Sequence, residues 1–200
     1  AGYLVPQEWR SVPELLAMLK NEAPLPPAAA GSETFQVRHR AGAALAQIAR
    51  ACLGKFPVHK AGEVLTDEQR EADAKISSAL VARWHDWWKQ AGDLDDSARG
   101  NLAGKLRETM LDAKDEEVFW VNVVFCGDAQ DPAPLPRMAA RLENLDIADH
   151  DLAQKVVALY GLLCAAPGAD PGAGLVLVKF IRKNNSPEIC RDMRAFAVLQ

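Results

Sequence analysis

The sequence predicts an all-α fold of about eight helices joined by short loops. The chain has 200 residues, of which 49% are hydrophobic and 25% are charged, so it is long enough and apolar enough to form a packed core. Only 6% of the residues are aromatic, and the apolar residues recur mainly at spacings of three and four. That spacing matches the period of an α-helix, and it is the main ground for the prediction.

The first two predicted helices cover residues 12–20 and 34–53. Pro13 stands at the start of the first helix, where its missing N–H group leaves no hydrogen bond unmade. A loop over residues 23–32 contains three prolines, which no helix can run through. Gly54 is expected to end the second helix.

The second helix has one apolar and one polar face. Val37, Ala41 and Leu45 fall on the apolar stripe. The residues of the opposite face must meet either solvent or a partner, and we predict that they form the binding surface. These residues are Gln36, His39, Arg40, Gln47 and Arg50.

Two further helices are predicted in the middle of the chain. The sequence from Thr66 to Gln69 has the form of a capping box, and the helix that it opens is expected to end at Gly92. Its predicted apolar stripe comprises Ile76, Leu80, Trp84, Trp87, Trp88 and Ala91. The next helix starts at one of residues 95–97 and continues to about Ala113.

The tryptophan-rich run contains Trp84, Trp87 and Trp88 at positions i, i+3 and i+4. One interpretation is an exposed aromatic platform, because tryptophan is common at interaction hot spots. The other interpretation is a structural anchor, because this spacing places the rings on one face together with Ile76 and Leu80. We favour the structural role for all three tryptophans.

Residues 118–125 and 174–181 fit either a strand or a helix. Both are rich in β-branched residues, which favour strands. An acidic first turn at residues 115–117 and the dipeptide Asp170-Pro171 favour helix starts instead. We predict helices for both segments, because two isolated strands so far apart in sequence would make a poor sheet. The remaining predicted helices cover residues 135–144, 149–166 and 186–199.

The first helix pair resembles a HEAT repeat. Pro13 opens its first helix and Leu-Leu-x-x-Leu follows, while the dipeptide Val37-Arg38 opens its second helix. Residues 155–163 and 192–199 resemble two further second helices of such repeats. The resemblance implies a short α-solenoid of stacked antiparallel helix pairs, with its second helices forming a binding surface. It also implies a structural ion pair for Arg38, and no catalytic residue or cofactor.

On this interpretation residues 1–200 form a single helical-repeat domain, with possible sub-units at 1–92 and 93–200. The sequence contains no metal-binding spacing of histidine or cysteine, and no nucleophile motif, so no catalytic or metal-ligating residue is predicted. The four cysteines are scattered among apolar neighbours, and we expect them to be buried and free.

Charge is unevenly distributed. Residues 1–60 carry seven basic and four acidic side chains, residues 61–150 carry 10 and 19, and residues 151–200 carry six and four. A net charge of −4 with an acidic middle disfavours a nucleic-acid binder. No apolar run approaches the roughly 20 residues that span a bilayer.

The sequence therefore favours a non-catalytic scaffold that binds another protein. Two alternatives from other classes are an enzyme on a helical scaffold, with only Asp, Glu and His side chains as candidates, and a helical-repeat nucleic-acid binder. The cysteine usage weakly favours the cytoplasm, and export after removal of a targeting segment is the alternative.

Overall fold

The computed structural model describes residues 9–25, 33–143 and 150–184, and within these ranges the chain is mostly helical. This result confirms the all-α prediction. The described helices are α1 (Val12–Met18), α2 (Val37–Ala49), α3 (Asp67–Ala91), α4 (Asp96–Met110), α5 (Glu116–Asp128), α6 (Leu135–Leu142), α7 (His150–Cys164) and α8 (Ala173–Asn184). The helix predicted at 186–199 lies outside the described residues.

The chain divides into two compact units, Ala1–Asn122 and Val123–Gln200. In the first unit α1 packs against α2 and α3. In the second unit α6, α7 and α8 each pack against the other two. The single-domain organisation expected from the sequence stays a prediction.

The helix starts follow the capping signals of the sequence. Thr66 and Gln69 form the predicted capping box of α3, in which each side chain bonds the other residue's backbone N–H. The Asp95 carboxylate accepts from the backbone N–H of Ala98 and thereby caps α4. Asp115 does the same for the first turn of α5.

The two ambiguous segments are helical, as predicted. Residues 118–125 lie within α5, where Val118, Phe119 and Val123 are buried. Residues 174–181 lie within α8. A run of apolar residues is compatible with a helix that is buried on most of its circumference, which explains why the period alone did not decide between the two structures.

The predicted second helix is shorter than residues 34–53. It starts later because Glu33–Thr34 forms a strand, β1, which pairs antiparallel with His59–Lys60, β2. It stops at Ala49 because Arg50 adopts a left-handed backbone conformation with φ of 53°. This conformation ends the helix four residues before the expected stop at Gly54.

The apolar stripe of α3 differs from the prediction at Ile76 and, to a lesser degree, at Trp88, which is half-buried. Ile76 is 50% exposed, and its neighbour Ser77 is buried instead. The buried residues Ser77, Leu80, Trp84, Trp87 and Ala91 follow one another at spacings of three and four. Ile76 lies about 100° around the helix from Ser77, so it points away from the core.

The core of the second unit forms where α6, α7 and α8 meet. Met138, Leu142 and Leu163 are almost fully buried there. Tyr160 is also buried, and its hydroxyl donates a hydrogen bond to the carbonyl of Ala173 at 3.2 Å. Burial raises the pKa of Tyr160 to about 12.

Candidate functional site

The polar face of α2 is only partly exposed. Arg40, Gln47 and Arg50 of the predicted binding set are exposed, and Ala43 is exposed between them. Arg40, Ala43 and Gln47 follow at spacings of three and four, so they form one stripe along α2, and Arg50 follows them at the residue that ends the helix. We call these four residues the α2 stripe.

Gln36 and His39 are half-buried and belong to the framework. The Gln36 backbone N–H donates to His39 Nδ1 at 2.9 Å, and His39 Nε2 lies 3.0 Å from the carbonyl oxygen of Pro57. Because Nδ1 accepts a hydrogen bond, the ring proton resides on Nε2 and is donated to Pro57. Phe35 and Phe56 pack edge-on against the imidazole. The structure therefore assigns these two residues to the start of α2 rather than to the exposed stripe.

Arg38 ties the loop after α1 to α2. Its guanidinium donates to the Glu22 carboxylate at 2.7 Å and lies 5.4 Å from the centroid of the Phe56 ring. The ion pair joins the loop after α1 to α2, and the ring contact joins α2 to the segment that follows it. This placement agrees with a structural rather than a ligand-binding use of Arg38.

The tryptophans of α3 form a cluster with Trp9, which lies in a helical turn before α1. Trp84 and Trp87 are 1% and 3% exposed, whereas Trp88 is half-buried. Ring centroids are 5.5 Å apart for Trp84 and Trp87, and 6.0 Å apart for Trp9 and Trp88, whose rings are stacked. These separations are typical of favourable aromatic pairs, so the cluster anchors the N-terminal turn on α3.

Arg99, on α4, joins this cluster to the end of α3. Its guanidinium lies 4.2 Å from the centroid of the Trp9 ring. The same group donates to the carbonyl oxygens of Ala91 and Gly92 at 3.2 and 3.1 Å, and pairs with Asp96 at 3.3 Å. A cation is favourable at a helix C-terminus, where the carbonyl groups lack helical partners. This role of Arg99 was not predicted, because nothing in the sequence shows which distant carbonyls an arginine reaches.

Segment 50–54, which follows α2, is held by side chains from three other helices. Arg107 of α4 donates to the carbonyl of Arg50 at 3.1 Å, and Arg83 of α3 donates to the carbonyl of Leu53 at 3.2 Å. Asn122 of α5 is fully buried and bonds both the N–H and the carbonyl of Cys52 at 2.9 Å. These contacts fix the position of the end of α2, and with it the end of the α2 stripe.

A cavity of about 420 Å³ opens at this end of the stripe, where the C-termini of α2 and α3 meet the first turns of α4. Small and aromatic side chains form much of its wall, and charged groups lie among them. Residues that line it include Trp9, Gln47, Arg50, Trp87, Arg99 and Gly100. Its volume lies within the range of pockets that bind small ligands or single large side chains.

Two residues of the cavity are unfavourable for local stability. Arg50 occupies a left-handed conformation that glycine adopts readily and that L side chains rarely adopt. Gly100 lies inside α4, where alanine would be more favourable by about 1 kcal/mol. A Cβ atom at Gly100 would meet no heavy atom within 4 Å, so packing does not require glycine there.

The remaining reactive groups of the described residues do not form a metal site. No group of three or more His, Cys, Asp and Glu side chains is placed to hold a metal ion in ranges 9–25, 33–143 and 150–184. His59 contacts Asp73 at 2.6 Å and thereby joins β2 to α3. Cys52 and Cys164 are free thiols whose pKa values are raised by burial, so both are protonated and weakly reactive at neutral pH.

No family model, curated protein or solved structure matches this chain. Within the part of the chain that the structure describes, no helix is both long enough and apolar enough to cross a membrane.

Proposed function

We propose that this protein is a non-catalytic interaction module of the HEAT-repeat type, which binds another protein along the α2 stripe. The main support is the continuity between the stripe and the cavity. Gln47 on α2 and Arg50 at its C-terminal end belong to both, so a partner lying along α2 reaches the cavity at the end of the helix.

The chemistry of the stripe indicates what kind of partner it suits. Its exposed side chains are two arginines, one glutamine and one alanine. Arginine is enriched at protein interfaces, because its planar guanidinium donates several hydrogen bonds and packs against apolar groups. A small residue at Ala43 lets a partner approach the backbone of α2 closely. The stripe therefore suits an acidic or hydrogen-bonding segment of a protein.

Side-chain contacts at both ends of α2 hold the stripe in place. The ion pair of Arg38 holds the first turn of α2, and Asn122 and Arg107 hold the segment that follows the helix. A surface that is fixed before binding loses less conformational entropy on association. This rigidity favours recognition by α2 itself.

The test is a charge reversal on the stripe. The Arg40→Glu/Arg50→Glu variant and the parent protein are used as baits in extracts of the source cell, and the captured proteins are compared by mass spectrometry. Rim charges act through association rate and salt dependence, so the double reversal should deplete specific partners at least about tenfold. The thermal unfolding midpoint should stay close to that of the parent.

The matched control is Lys75→Glu/Lys105→Glu, which reverses two exposed lysines on α3 and α4 and produces the same change in net charge. Capture should survive this control. If the control and the stripe variant lose the same proteins, or if neither loses any, the α2 stripe is not the binding surface.

A further inference from the structure

The second unit contains a cavity of its own, with a volume of about 410 Å³. It lies between α6, with the loop that precedes it, and the first turns of α8. Much of its wall is apolar and is formed by Pro132, Leu135, Pro136, Ala139 and Val176. The volume lies within the range of pockets that bind small ligands or single side chains.

The lining of this cavity offers few hydrogen-bond donors. Pro132 and Pro136 have no backbone N–H group. Four further lining residues donate their backbone N–H groups within the chain, namely Ala133, Leu135, Gly172 and Ala173. The hydroxyl of Tyr160 donates to the carbonyl of Ala173 at 3.2 Å. An anionic ligand needs donors, so this lining does not suit one.

A carboxylate supplies the charge of the cavity. Asp170 is the only charged residue among the described residues that line it. Its Oδ1 accepts from the N–H of Gly172 at 3.0 Å, a contact that orders the turn before α8. Within residues 9–25, 33–143 and 150–184, Asp170 has no cationic partner and its Oδ2 accepts no hydrogen bond. A backbone N–H does not neutralise a charge, so the cavity keeps a negative charge.

The charge of Asp170 is felt inside the cavity. Tyr160 lines the cavity and is 1% exposed. Burial raises the pKa of Tyr160 to about 12, and electrostatic effects of Cys164 and Asp170 add to the increase. A cation that enters the cavity therefore meets an unmatched carboxylate beside an apolar wall.

The hydrogen bond to Gly172 favours one kind of cation. A guanidinium pairs best with both oxygens of a carboxylate, but Oδ1 of Asp170 is already used. An ammonium group is a compact charge that needs only one oxygen. An aliphatic stem behind the ammonium would pack on Leu135, Ala139 and Val176.

We propose that this cavity binds a primary ammonium group on an aliphatic stem, with the ammonium at Asp170 Oδ2 and the stem against the apolar wall. A free alkylamine and a lysine side chain of another protein share this chemistry. None of the lining residues belongs to the α2 stripe, so the site is additional to the proposed function and independent of it.

The first experiment compares n-pentylamine with 1-pentanol, which has the same stem but no charge. Binding to the full chain is followed by nuclear magnetic resonance, through the backbone N–H groups of Gly168, Gly172 and Val176. Saturable shifts are expected at these residues, and n-pentylamine should bind at least about fivefold tighter than 1-pentanol. The proposal is overturned if n-pentylamine causes no saturable shift or if 1-pentanol binds as tightly.

Two variants test the charge and the space separately. Asp170→Asn removes the charge but keeps an oxygen for Gly172, and it should weaken n-pentylamine binding at least about fivefold. Ala139→Leu fills the cavity and should weaken binding by a similar factor. The matched controls are Asp93→Asn and Ala165→Leu, which make the same changes at exposed positions outside the cavity and should bind within about twofold of the parent. Parent-like binding by Asp170→Asn or Ala139→Leu, with parent-like circular dichroism, refutes the site.

Two further probes identify the source of the ammonium. Nα-acetyl-lysine methylamide carries the lysine side chain between two peptide groups. If it binds at least as tightly as n-pentylamine, and Asp170→Asn weakens it equally, the site is a receptor for a lysine of another protein. If only n-pentylamine binds, the ligand is a free alkylamine. Tighter binding of n-pentylguanidine than of n-pentylamine would overturn the assignment of an ammonium group.

Discussion

Replacement of Asn122 by leucine should strongly destabilise the first unit. Asn122 is fully buried, and its side-chain oxygen accepts from the N–H of Cys52 while its amide group donates to the carbonyl of Cys52. The amide group also reaches the carbonyl of Val118, one helical turn earlier. The Asn122 side chain thus satisfies both backbone groups of Cys52, in the segment that follows α2, as a neighbouring strand would.

The magnitude follows from what leucine leaves behind. Leucine has the same number of side-chain heavy atoms and the same branching as asparagine, so the variant creates no cavity, but it leaves the N–H and the carbonyl of Cys52 buried without Asn122 as partner. An orphaned buried backbone group costs about 1–3 kcal/mol. Two such groups, partly offset by the burial of a more apolar side chain, give an expected loss of about 3 kcal/mol in the free energy of unfolding.

The assay is urea denaturation followed by circular dichroism, with Asn101→Leu as the control. Asn101 is exposed on α4, so its replacement should change the free energy of unfolding by less than about 0.5 kcal/mol. For a slope of about 2 kcal/mol per molar urea, the Asn122→Leu midpoint should fall by about 1.5 M. If Asn122→Leu unfolds within about 0.5 kcal/mol of the parent, these hydrogen bonds do not fix the segment after α2, and our account of how the stripe is held is wrong.

Three further predictions concern tryptophan burial, the end of α2 and a buried phenol. Trp84→Ala should lower the free energy of unfolding by about 3–5 kcal/mol in urea denaturation. Trp88→Ala should lower it by less, because Trp88 is half-buried. Equal decreases for the two variants would contradict this ranking. Arg50→Gly should raise the free energy of unfolding by up to about 1 kcal/mol, because glycine relieves the left-handed backbone. Arg40→Gly, inside α2, should lower it by about 1 kcal/mol. If both variants lower the free energy of unfolding, the argument about Arg50 is refuted. Burial raises the pKa of Tyr160 to about 12 in the folded chain, whereas the unfolded chain ionises near pH 10, so the free energy of unfolding should fall as the pH rises between these values. Phenolate absorbance, compared with that of the Tyr160→Phe variant, measures the ionisation. Complete ionisation near pH 10 in the folded chain would contradict the burial of Tyr160.

Local signals in the sequence predicted the helices well. The capping residues Thr66, Asp95 and Asp115 each act on the helix start that they precede. The ambiguous segment 118–125 is helical, and the acidic residues ahead of it were the correct guide. Helix starts depend on contacts within one helical turn, so they can be predicted from the local sequence alone.

The predicted binding residues of α2 differ in exposure for a related reason, and their role in binding stays a prediction. The helical period correctly placed Arg40 and Gln47 on an exposed stripe, and Arg50 is exposed at the end of the helix. It also placed Gln36 and His39 there, but the start of α2 is covered by a neighbouring loop, and Pro57 accepts from His39. Periodicity describes directions around one helix, and it does not show which of those directions another segment covers.

The sequence by itself determined which segments are helical, where most helices begin, and most of the apolar faces of α2 and α3, because propensity, period and capping are local properties. Only the tertiary structure decided that Arg99 and Arg107 reach carbonyls at the ends of α3 and α2, and that Asn122 bonds Cys52 across 70 residues of sequence. Those contacts join segments far apart along the chain, and their partners are selected by packing rather than by spacing. The cavity at the end of the stripe has the same origin, because it exists only where three helices meet and small residues leave room between them.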